Sequence, residues 1–164
     1  MRTNAPMHDL LAAQAAPDLP GDLREIVEAG WTTGPAGTLL LAVQYRDRWN
    51  PEVGEADVGA YEYEINDIHV STADLPVDEG LPARAAARGL TFALRAMERA
   101  AGLPGADLLA AVVSTPIDEE FLESGTTVKF FTRRGRHPDW FDDLERFQLD
   151  GVALVEMPDA LGRR

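Results

Sequence analysis

A chain of 164 residues with 45% hydrophobic residues can bury one core and is too short for two independent ones. Its formal net charge of −13 argues against a nucleic-acid phosphate backbone as partner, because no broad cationic surface is expected for counterion release. No window approaches the ~20 apolar residues of a membrane span, and the absence of cysteine excludes a disulfide framework, a thiolate zinc site and a cysteine nucleophile, as expected of a cytoplasmic protein.

The first residues, M-R-T-N-A-P-M-H-D-L-L-A-A-Q, carry too short an apolar run for a signal peptide. Pro6 to Ala16 reads as a weak helix that Pro17 and Pro20 end, and residues 1–21 as a loosely packed N-terminal arm. A better helix follows. Asp22 and Glu25 have capping-box spacing, Leu23, Ile26 and Val27 make an apolar face, and Gly30 suits its C-terminal end. Trp31 is expected to anchor the exit on the body of the protein. Thr32 to Gly37 is turn material, and Leu39 to Tyr45 is apolar enough for a strand covered on both faces.

Arg46 to Gly59 is a long polar connection. Tyr61, Tyr63 and Ile65 then alternate with Glu62, Glu64 and Asn66, which predicts a half-buried strand. Ile68 and Val70 fall out of phase, and a β-bulge near Asn66-Asp67 would restore the facing. Leu81 to Gly102 is the longest run of helical periodicity. Arg84, Arg88, Arg95 and Arg99 lie within about 60° of one another on it, opposite Leu90, Leu94 and Met97, while Gly89, Ala93 and Ala100 form a small-residue patch.

Beyond that helix, Asp107 to Ser114 reads as a buried strand, Asp118 to Gly125 as an acidic helical turn, and Thr126 to Thr132 as a strand. Pro138 opens a predicted helix in which Trp140, Leu144 and Phe147 share a face. Val152 to Met157 supplies a last strand, and residues 158–164 are expected to fray. The order predicts one α+β domain over 1–164, a mainly antiparallel sheet of about five strands with one long helix packed on a face and shorter peripheral helices.

No stretch carries a nucleotide or metal signature: the Walker and dinucleotide glycine patterns are absent, and the acidic loop lacks the order of an EF-hand. No cofactor and no metal are therefore expected. The arginine stripe has partners at hand, since Arg46 to Gly80 holds ten Asp and Glu against two Arg. Arg133, Arg134, Arg136 and His137 form a cationic island that could hold an anion at the N-terminus of the following helix. Asp67 and His69, two apart on a strand, share a face and could orient an imidazole, with Asp78 as a further carboxylate.

The residues predict a small acidic, non-catalytic cytoplasmic module that binds a basic protein partner, comparable in size and charge to an immunity protein or antitoxin. Its contact residues would be Trp49, Glu52, Glu55, Asp57, Tyr61, Glu62 and Glu64, which combine steering charge with aromatic anchors. The alternative is a hotdog-like enzyme or small-ligand-binding domain with its site at Asp67, His69, Asp78 and the central helix. Either reading leaves a homodimer open.

Overall fold

The computed structural model describes residues 1–12, 15, 17–45, 52–118, 121–134 and 139–162. Among these residues the strands are β1 (Arg2–Thr3), β2 (Trp31–Thr33), β3 (Leu39–Leu41), β4 (Asp67–His69), β5 (Leu109–Pro116), β6 (Thr127–Thr132) and β7 (Asp150–Glu156). Five form an antiparallel sheet in the order β1-β7-β5-β6-β4, while β2 and β3 make a separate hairpin. The α-helices are α1 (Ala5–Ala12), α2 (Gly21–Ala29), α3 (Ala42–Tyr45), α4 (Val58–Ile65), α5 (Leu81–Ala100), α6 (Phe121–Ser124) and α7 (Met157–Ala160). The architecture is the expected α+β arrangement, and no described helix is long and apolar enough to cross a membrane.

Strand β5 sits at the centre because it is apolar on both faces. Ala111, Val113, Val128, Phe130, Ala153 and Val155 face the side on which α5 packs. Ala110, Val112, Phe131, Val152 and Leu154 face the other side, where Phe141 and Leu144 close a second, smaller core. Period-two alternation along the paired strands thus feeds two layers from one sheet.

Helix α5 meets the sheet through its small residues. A Cβ on Gly89 would stand 3.0 Å from Thr126 Cγ2 and 3.1 Å from Val113 Cγ1, so its absence sets the approach. The buried face runs through Ala85, Phe92, Ala93, Ala96 and Ala100, rotated from the one expected, and Leu90 and Leu94 are only partly buried at its edge. Arg88 is consequently drawn inside. Trp31 anchors the α2 exit as predicted: its indole N–H donates to the Ala96 carbonyl at 2.7 Å and its ring meets Phe130 edge-on at 5.2 Å.

The first 21 residues contribute β1, α1 and fully buried Asn4 and Met7 rather than a loose arm. Asn4 carries this: its amide donates to the carbonyls of Phe147 and Asp150 at 2.8 and 2.7 Å, and its side-chain oxygen accepts the N–H groups of Met7 and Val152. Helix α2 starts after Pro20 without a side-chain cap, so Asp22 and Glu25 form no capping box. The apolar run from Leu39 is split, a three-residue strand turning into α3.

The segment after 138 forms two 3-10 turns, Asp139–Asp142 and Leu144–Arg146, not an α-helix. The tail expected to fray contains α7, closed by a capping box between Glu156 and Asp159, and Asp159 also pairs with the Met1 ammonium. Most consequential, Tyr61 to Ile65 is not a strand. It is the last part of α4, and the phase slip at Asn66-Asp67 marks the helix end where β4 begins, not a bulge.

Candidate functional site

The helical form of α4 divides the acidic segment in two. At 100° per residue Asp57, Tyr61 and Glu64 fall on one face, while Val58, Glu62 and Asn66 fall on another. The second face is buried. Glu62, expected on the contact surface, is fully enclosed: Oε1 accepts the Leu39 N–H at 2.7 Å and Arg134 Nη2 at 3.1 Å, and Oε2 accepts the Thr132 N–H and hydroxyl at 2.5 and 2.6 Å. Arg134 is in turn fixed by Thr132 Oγ1 at 2.9 Å and the Gly37 carbonyl at 2.6 Å. A buried carboxylate with four donors, one of them a guanidinium, is a structural clamp, not a surface for a second protein.

The outward face is different. Glu52, Asp57, Tyr61 and Glu64 line one open cleft of about 320 Å³ together with Val53, Gly54 and Ala60. A 3-10 turn, Glu55–Asp57, leads into α4 and places Glu55 and Asp57 at the positive end of the helix, where carboxylates are favoured. Glu52, Glu55, Asp57 and Glu64 are all exposed, and the Tyr61 ring is half-buried beside them. Five of the seven predicted contact residues are therefore neighbours on one surface; Glu62 is removed from it, and Trp49 lies outside the described residues. The cleft pairs negative charge with an aromatic face, the combination that receives an arginine or lysine side chain.

The alternative site is not assembled in this way. Asp67 Oδ2 pairs with Lys129 Nζ at 3.0 Å, and Lys129 also sits 4.9 Å from the centroid of the Tyr63 ring. Burial, with the Asp67 charge adding to it, pushes the Tyr63 hydroxyl up to about 12. His69 is exposed, its ring lying against Gly125, where any Cβ would collide with the imidazole and where a φ of 61° also favours glycine. Asp78 accepts the Gly80 N–H and pairs with Arg84 at 2.6 Å, nearly a turn into α5. The three residues are thus engaged in separate contacts.

The cationic residues are largely spoken for. Arg88 is fully buried, forks onto both oxygens of Asp74 at 2.7 and 2.8 Å and donates to the Ser71 carbonyl at 2.6 Å. With Arg84 on Asp78, half of the α5 stripe is paired to acids of the preceding segment. Arg133 pairs with Glu156 at 3.1 Å, and Arg134 belongs to the Glu62 clamp. Arg136 and His137 lie outside the described residues, and the helix N-terminus on which anion binding was predicated is replaced by the 3-10 turns.

The Glu62 clamp was invisible to hydrophobic periodicity because the residues that face inward are polar. Its one sequence signal was the Glu62–Asn66 spacing of four, a helical neighbour relation within an otherwise strand-like pattern. No family model, no curated protein and no solved structure matches the chain.

Proposed function

We propose that this chain is a small acidic protein-binding module without catalytic chemistry, engaging a basic protein partner through the cleft on the outward face of α4. The observation that supports this reading is the convergence of Glu52, Asp57, Tyr61 and Glu64 on one cavity, on a helix whose opposite face is clamped into the fold. Rigid support of this kind lowers the entropy lost when a partner side chain is gripped. The net charge of −13 steers a cationic partner toward the surface, and the cleft provides the place where it stops. Inhibition of a basic toxin in the cytoplasm, in the manner of an immunity protein or antitoxin, is the role that such a surface serves.

The test is retention of a protein from native lysate on the immobilised chain, followed by calorimetric titration of the purified partner. The partner should be basic, and Glu52→Lys, Asp57→Lys and Glu64→Lys combined should weaken binding about a hundredfold, roughly 2.7 kcal/mol. A partner whose affinity survives that triple reversal removes the proposal.

A further inference from the structure

A second surface, sharing no residue with the α4 cleft, lies where α1, the start of α5 and the end of β5 meet. Two adjoining hollows share Glu79 as a wall. One, of about 470 Å³, is lined by Pro6, Leu10, Ala83 and Ile117 among others. The other, of about 420 Å³, is lined by Val77, Leu81, Pro82 and Phe121. Three large apolar side chains stand open to solvent here: Val77 is 85% exposed, Ile117 43%, and Leu149, tied to Ile117 by the Ile117 N–H to Leu149 carbonyl bond, 65%.

Among the described residues, every charged residue that lines the two hollows is a carboxylate, namely Asp9, Asp78, Glu79 and Asp118. Asp78 is neutralised in part by Arg84, but Glu79 is exposed on the ridge between the hollows and has no ion pair among the described residues. Apolar hollows rimmed by one sign of charge select their occupant. A second copy of this chain would bring like charge to the rim, as would an anionic membrane surface. A segment that alternates apolar and basic side chains is matched on both counts, its apolar residues entering the hollows and a cation meeting Glu79.

We infer that the Val77–Glu79–Ile117 groove is a docking surface for a basic amphipathic segment of a protein partner. Each hollow has room for a large aliphatic or aromatic side chain, and Glu79 stands in the lining of both.

Fluorescence anisotropy with a labelled synthetic helix of roughly 15 residues, Leu at every third or fourth position and Arg or Lys between, tests it. The wild-type chain should bind this peptide at least about tenfold tighter than a scramble of the same composition, a difference of roughly 1.4 kcal/mol. Ile117→Asp and Glu79→Lys should each reduce affinity about tenfold, and because both side chains are exposed, circular-dichroism melts should confirm an intact fold. Glu52→Lys with Glu64→Lys should leave peptide binding within about twofold. Equal affinity for the scramble overturns the inference, as does indifference to Ile117→Asp. Binding lost only through the α4 cleft reversal overturns it too, while leaving the α4 proposal standing. Self-association in sedimentation that Ile117→Asp abolishes would assign the groove to a second copy and likewise overturn it.

Discussion

Glu62 on α4 and Asn66, one helical turn on at the end of that helix, together stand in for a second neighbouring strand beside β3, which pairs with β2. Glu62 accepts the Leu39 N–H, while Asn66 accepts the Leu41 N–H at 2.9 Å and donates to the Leu39 carbonyl at 2.8 Å. Asn66 also donates to the Phe130 carbonyl at 3.3 Å and its own carbonyl accepts the Phe130 N–H, so the two residues join the β2-β3 hairpin to the main sheet. Two side chains thus satisfy backbone groups that would otherwise be buried unpaired.

Removing Glu62 should be among the most damaging single changes available. Glu62→Ala leaves the N–H groups of Leu39 and Thr132 without their acceptor and Arg134 without its counter-charge, and should cost about 3–5 kcal/mol in urea denaturation. Glu64→Ala, two residues on and facing water, should stay within about 0.5 kcal/mol. Equal stability of the two variants would contradict the clamp.

The Arg88–Asp74 pair predicts an asymmetric response. Asp74→Asn keeps the shape but removes the charge facing a fully buried guanidinium; because Asp74 itself is open to water, the expected loss is modest, about 1–2 kcal/mol. The hydrogen bonds from Arg88 hold the Asp74 carboxyl below 3.8, as those from Arg84 do for Asp78. A lowered folded-state value means the stabilisation is present above pH 3.8 and is lost as pH falls through the lowered value. The gap between wild type and Asp74→Asn in melting temperature should therefore close in strong acid. A gap that is independent of pH would mean that charge is not its cause.

Asp150 carries the opposite sign. Burial, reinforced by the charge of Asp118, raises its carboxyl above 3.8. Its contribution is fully present below pH 3.8 and is lost as pH rises through the raised folded-state value. Asp150→Asn should accordingly stabilise the chain near neutral pH, with the gain shrinking to nothing in acid. Thermal melts across that range decide it, and destabilisation at neutral pH would show that the carboxylate is needed for the turn into β7.

Gly89 tests the seat of α5. Alanine would normally gain up to about 1 kcal/mol in a helix interior, but here its Cβ meets Thr126 and Val113 side chains at 3.0 and 3.1 Å. Overpacking costs about 1–3 kcal/mol, so a net loss is expected for Gly89→Ala and a larger one for Gly89→Val. A stabilised Gly89→Ala would mean the helix can lift from the sheet freely.

Helix α5 and the three long strands are legible in the residues alone, because their buried positions are apolar or small and their periods, 3.6 and 2, are written in hydrophobicity. Leu109 to Pro116 and Thr127 to Thr132 stand within a residue or two of where the apolar runs placed them. Helix α4 depends on contacts distant in the chain. Its buried positions, Val58, Gly59, Glu62 and Asn66, follow a helical spacing, yet two of the four are polar, so a pattern read in hydrophobicity sees only the alternating tyrosines and glutamates. Glu62 and Asn66 can be inside only because Leu39, Leu41, Thr132 and Arg134, brought from distant parts of the chain, present matching donors and acceptors. The same event divided the acidic segment into a clamp and a cleft, since rolling it into a helix turned Glu62 inward and gathered Asp57, Tyr61 and Glu64 on the surface.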